Sequence, residues 1–146
     1  MPDDACPLTP TPLTGEQTAI RRMLEARRVA VVGMSDDPSR PSHYVGAYLI
    51  DRGYDVIPVN PNIAEVLGRR AYPTLSAIPG GVDLVNVFRR GEVCAAIVRE
   101  ALAIKAKGVW LQSGVTNSAG RALAMQAGIL YVENRCIMVE HTRLAR

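Results

Sequence analysis

Short, unbroken aliphatic runs alternate with stretches of helical spacing along this chain, and few folds accept that rhythm. The runs are Val29-Ala30-Val31-Val32, Tyr54–Val59, Val82–Phe88, Val109-Trp110-Leu111 and Ile129–Val132. Strands that are apolar on both faces belong in a sheet covered on both sides, which in practice means a parallel one. Between them lie the helices that parallel crossovers require. Thr14 and Gln17 have the spacing of a capping box for a helix to about Ala26. Ser42 is placed to cap a second helix ending near Arg52, which Gly53 stops. Gly91 to Lys107 carries Val93, Ile97, Ala101 and Ile104 on one face, with Lys105 and Lys107 in the last turn and Gly108 as terminator. Residues 116–127 and Cys136–Arg143 complete the set. Residues 62–80 are less regular and read as a helical turn at Ile63–Leu67, a short strand at Arg70–Tyr72 and a small helix after Thr74.

This order predicts an α/β chain with right-handed βαβ units, a doubly wound, mostly parallel sheet with helices on both faces, in one domain. Residues 1–13 are rich in Pro and Thr and read as a flexible lead-in, with the domain proper over 14–146. With one Phe, one Trp and five Tyr, the core must be built from Ala, Val, Leu and Ile. Cys6, Cys94 and Cys136 are far apart, odd in number and in no CxxC pattern, which argues against disulfides or zinc and for a reducing compartment. No stretch approaches the length of a membrane span, and the N-terminus lacks the basic start and apolar run of a signal peptide. A cytoplasmic protein is the expectation. The formal charge of +3 is carried mostly by arginine and is not clustered, so nucleic acid is not indicated, whereas an anionic small ligand is.

Ligands of open α/β sheets bind beyond the carboxyl ends of the strands. The residues expected there are Gly33, Met34 and Ser35; Asn60 and Pro61; Phe88, Arg89 and Arg90; Gln112, Ser113 and Gly114; and Asn134 and Arg135. The first loop, Gly33 to Ser42, keeps only the first glycine of the dinucleotide fingerprint, with Ser35 in place of the second. Backbone amides, the hydroxyls of Ser35, Ser39 and Ser42, and the charge of Arg40 can still meet a phosphate at the start of the helix. Asp36 and Asp37 read as turn formers. Asn60 stands where a nicotinamide-dinucleotide site usually has an acid, and Asp55 lies at the wrong end of its strand, which disfavours a dehydrogenase. Arg89 and Arg90 are either a solvated pair opening a loop or, beside an apolar wall at Phe88, a phosphate contact.

No catalytic set stands out. His43 reads as a capping or surface histidine, with donation to a phosphate as the alternative. Cys136, Glu140 and His141 fall in one short terminal helix with no third group to orient them.

Taken together, Val31–Ser35, Arg40-Pro41-Ser42, Gly53–Pro61, Val82–Arg90, Trp110–Val115, Ala127-Gly128-Ile129 and Asn134-Arg135-Cys136 form an ordered series. In this series the chain resembles the stand-alone bacterial CoA-binding domain proteins, related in fold to the N-terminal domain of the succinyl-CoA synthetase alpha subunit. The resemblance covers about residues 16–144. It implies a Rossmann-like fold and a coenzyme A site in which Gly33, Met34 and Ser35 with Arg40, Pro41 and Ser42 meet the phosphates. Asn60 and Pro61 would lie near adenine and ribose, Phe88, Arg89 and Arg90 along the diphosphate or pantetheine, and Gln112 and Ser113 further along the arm. It also implies a CoA or acyl-CoA binder that is not catalytic alone, since only the CoA-binding portion of the synthetase is matched. Two alternatives stay open: the CoA-binding subunit of a partner-dependent acyl-CoA ligase or transferase, and a nucleotide-linked regulatory protein. The assemblies it admits are a homodimer and a ligase-type partner; no metal is implied.

Overall fold

The computed structural model describes residues 15–144. The expected lead-in and the Thr14 cap therefore lie outside the described residues. Five parallel strands, β1 (Arg28–Val32), β2 (Asp55–Val59), β5 (Leu84–Val87), β6 (Gly108–Leu111) and β7 (Leu130–Val132), form one sheet in the order β2-β1-β5-β6-β7. The helices are α1 (Gly15–Met23), α2 (Pro41–Asp51), α3 (Cys94–Ala103), α4 (Ser118–Ala127) and α5 (Ile137–Leu144). This is the doubly wound, Rossmann-like α/β architecture read from the sequence.

Alternation along the strands divides the core in two. Ala30, Val32, Val85, Val87, Val109 and Leu111 face α3 and α4, through Cys94, Val98, Ala101 and Ala124. Val29, Val31, Leu84, Trp110 and Val132 face α1, α2 and α5, through Ile20, Met23, Val45, Leu49 and Ile137. Both faces are thus dry, and the scarcity of aromatic residues is met by one large anchor. Trp110 is fully buried and donates its indole N–H to the Arg135 carbonyl at 2.8 Å.

Three local expectations are corrected. Residues 63–67 are not helical: β3 (Glu65–Val66) and β4 (Arg69–Arg70) form a tight antiparallel hairpin. Leu67 and Gly68 both have positive φ (53° and 75°), the conformation of a two-residue hairpin turn, and Val66 points into the core. Ser42 does not cap α2; the N-cap is Arg40, and Pro41 opens the helix, where its missing N–H is no loss. The third helix begins with a 3-10 turn at Gly91–Val93 and stops at Ala103, not Lys107. Lys105 takes the left-handed conformation, with Ala106 N–H donating to Ala101 and Lys105 N–H to Leu102, so a Schellman closure ends the helix before Gly108, which starts β6.

Candidate functional site

Register decides which loops meet. Val32 pairs with Val59 on one side and Val87 on the other, and Val87 pairs with Leu111. Gly33, Asn60, Phe88 and Gln112 therefore leave the sheet side by side. Backbone bonds continue across this line: Gly33 N–H to the Val59 carbonyl (2.8 Å), Phe88 N–H to Val32 (2.9 Å) and Gln112 N–H to Val87 (3.1 Å). The strand order reverses at β1, because β2 lies on one side of it and β5 on the other. Open α/β sheets place their ligand crevice at such a reversal, a rule that points here to the space above the Gly33 and Phe88 loops.

The Gly33–Ser42 loop is held from several directions. Ser42 is buried, and its Oγ accepts from Ser35 N–H at 2.9 Å. Ser35 Oγ accepts from Asp37 N–H, and Asp37 Oδ1 accepts from the amide and hydroxyl of Ser39. These two bonds from Ser39 hold the Asp37 carboxyl below its ordinary range. From the next loop, Asn60 Nδ2 donates to the Met34 carbonyl at 3.1 Å, while its Oδ1 accepts from Asn62 N–H. His43 is not on the surface; it is buried, and its Nδ1 lies 2.9 Å from the Ser35 carbonyl oxygen. A carbonyl only accepts, so Nδ1 carries the hydrogen.

Gly33 has φ +85°, and a Cβ there would stand 3.1 Å from the Phe88 carbonyl oxygen and 3.3 Å from Arg89 Nε. The Arg89 side chain thus lies across the first turn of the site, half-buried. Among the described residues neither the Arg89 nor the Arg40 guanidinium has a hydrogen-bond or ion-pair partner, although the Arg40 backbone is bonded to Asp37, His43 and Tyr44. Arg90 is 82% exposed and reaches Glu92 at 3.6 Å, away from this grouping.

The other expected residues divide clearly. Met34 is wholly buried with its side chain against α2 at Gly46, so it offers the rim only backbone. Pro41 lies exposed at the start of α2, and Pro61 and Ser113 lie exposed in turns after β2 and β6. Gln112 is buried, and its Oε1 accepts from Asn86 Nδ2 (3.2 Å) and from Ile137 N–H (3.3 Å), which ties β5 and the start of α5 to the end of β6. Asn86 is a site-side residue missed in the sequence, although a lone amide within an aliphatic strand was a visible signal. Its Nδ2 also donates to the Trp110 carbonyl, and its Oδ1 is buried with no partner.

A hollow of about 740 Å³ lies at the opposite end of the sheet, among Met23, Arg27, Ala106, Gly108 and Leu130. It is where α1, α3 and α4 end, so Arg22, Arg27, Lys105 and Lys107 there counter the negative ends of three helices. Its basic character needs no ligand.

The model of the CoA binding domain family matches residues 27–142, from the start of β1 into α5. The chain belongs to this family. It is 41% identical over 123 residues to an uncharacterized Bacillus subtilis protein, YneT, covering 84% of this chain and 91% of that one. A solved structure, a hypothetical protein from Pyrococcus horikoshii, superposes with a TM-score of 0.86 at 37% identity, over 94% of this chain and 99% of that one. Part of the chain is 42% identical over 62 residues to the alpha subunit of an ADP-forming acetate–CoA ligase of Pyrococcus furiosus, only 14% of that protein. The chain is thus similar along most of its length to a protein of comparable size and, over a shorter stretch, to a small part of a much longer ligase subunit. Among the described residues, no helix is long and apolar enough to cross a membrane.

Proposed function

We propose that this CoA-binding-family chain binds coenzyme A or an acyl-CoA in the crevice between the Gly33 and Phe88 loops, and is not catalytic alone. The observation that carries the reading is the unpaired guanidinium of Arg89 lying over Gly33 at the point where the strand order reverses. A half-buried arginine without a counter-ion is a ready donor to a diphosphate, and the glycine lets that group approach the backbone. Arg40, unpaired at the N-terminus of α2, supplies a second charge where the helix already favours an anion. Gly33, Ser35, Arg40, Pro41, Phe88 and Arg89 form the phosphate side of the site, with the Met34 backbone beneath them. Ser42 and Asn60 hold its loops in place, Pro61 borders the adenosine end, and Ser113 flanks the pantetheine arm. Gln112 acts from below through its bonds to Asn86 and α5, and Arg90 contributes charge at the edge.

Calorimetry with CoA, dephospho-CoA, NAD and ATP tests this. Preferential heat with CoA is expected; equal heats with all four, or none, remove the assignment.

The ligase relatives favour one second reading, a CoA-binding subunit that works with a separate partner. Acyl-CoA formation on mixing with a separately encoded ATP-dependent partner would support it, and inactivity with every such partner would count against it.

A further inference from the structure

We propose that His43 is a positioning residue of the ligand loop whose protonation is coupled to anion binding, so that the chain takes up a proton at this imidazole when phosphates settle above Ser35. The inference rests on the CoA reading and adds a regulation of the same site. Its basis is geometric. His43 sits in the first turn of α2, buried, with Nδ1–H committed to the Ser35 carbonyl at 2.9 Å. The amide of the same Ser35 is held by Ser42 Oγ, so one short stretch of loop is gripped on both sides by α2.

With the hydrogen on Nδ1, the neutral ring has its lone pair on Nε2, and no described residue bonds that nitrogen. A proton added there leaves the bond to Ser35 in place and makes it charge-assisted, hence tighter. It also puts a positive charge behind the loop. The ring reaches the loop through its contact with the Ser35 carbonyl, two residues from the Asp37 carboxylate. From the other elements against α2 the influences are weaker. α5 presents His141, bound to Tyr48 more than a turn away, and β2 is followed by the neutral Asn60. An anion brought to the loop adds negative charge beside the ring and favours the imidazolium. A group whose titration midpoint is higher in the complex binds ligand more tightly below its free midpoint, and the gain is lost as pH rises through the bound one.

The 3′-phosphate of CoA itself titrates near pH 6, so dephospho-CoA, whose diphosphate stays fully ionised across the range, is the cleaner probe. The chain has two histidines, and NMR can follow both ring signals through a pH titration, free and saturated with dephospho-CoA. His43→Asn assigns the curves. The expected result is a His43 midpoint raised by about half to one pH unit, equivalent to roughly 3- to 10-fold tighter binding to the protonated form, with His141 unmoved. His43→Asn retains an amide able to donate to Ser35 but has no titrating ring, so the ratio of its affinities at acid and alkaline pH should lose the roughly 3- to 10-fold gain, whatever its affinity at either pH. Saturation with an unmoved His43 midpoint, or a variant that keeps the full pH dependence, overturns the proposal while leaving the CoA site intact. If neither dephospho-CoA nor CoA perturbs any signal, the CoA reading has failed and this inference falls with it.

Discussion

Arg89 lies across Gly33: its Nε would be 3.3 Å from a Cβ placed on the glycine, and the Phe88 carbonyl oxygen would be nearer still at 3.1 Å. One residue from the loop after β1 and one from the loop after β5 thus close on each other at the reversal of the sheet. A left-handed backbone without a side chain is what permits the approach.

Gly33→Val should harm both stability and binding. The left-handed conformation costs a non-glycine residue about 1–2 kcal/mol, and more when it is branched. The added carbons would also displace Arg89 and fill the space of an approaching phosphate. Denaturant unfolding should show the loss of stability, and calorimetry at least about a tenfold loss of CoA affinity.

Arg89→Ala and Arg40→Ala should each weaken CoA binding by roughly 1–3 kcal/mol, the scale of a charge-assisted hydrogen bond, with the fold unchanged. Raised salt should shrink the effect of Arg40, which is exposed, more than that of Arg89, which is half-buried. Affinities at two salt concentrations, with circular dichroism as the fold control, check this.

Gly91→Ala separates fold from site. A Cβ there would sit 2.5 Å from the Thr116 carbonyl oxygen, which belongs to backbone and cannot swing aside. A loss of about 1–3 kcal/mol is expected from overpacking. Gly15→Ala is the control, since a Cβ there meets nothing within 4 Å. Their denaturation midpoints should differ accordingly.

Asp83 gives stability a pH dependence. Its carboxylate accepts from the amides of Arg28 and Arg27, and these bonds hold its pKa below the ordinary 3.8. A depressed folded-state value means stability that is present above the unfolded pKa and lost as pH falls through the folded one. Asp83→Asn should therefore be destabilised near neutrality, with the gap from the parent closing below about pH 4. Urea unfolding across that range measures it.

The sequence made the sheet legible because its signals are strong and independent: five aliphatic runs, all but the second followed by helical spacing. The loops at the carboxyl edge could be named once the strands were. What the sequence could not disclose was side-chain commitment. Ser42 has the residue type of a cap, yet its hydroxyl holds Ser35 because Pro41 already opens the helix. Met34 follows a strand end like its neighbours, but the space above Gly46 draws its side chain inward. Gln112 looks like a free amide at the rim and is instead bound to Asn86 and Ile137, contacts that span about 25 residues of chain. The Leu67-Gly68 hairpin escaped notice because leucine rarely adopts positive φ, and only the glycine after it hinted at a turn.

The most direct test is to map backbone amide shifts while CoA is added to the full chain. Shifts should gather at Gly33–Ser42, Asn60, Phe88-Arg89 and Gln112-Ser113, at the carboxyl edge of the sheet. Shifts confined to the basic hollow at the opposite edge, or none at all, would contradict the account.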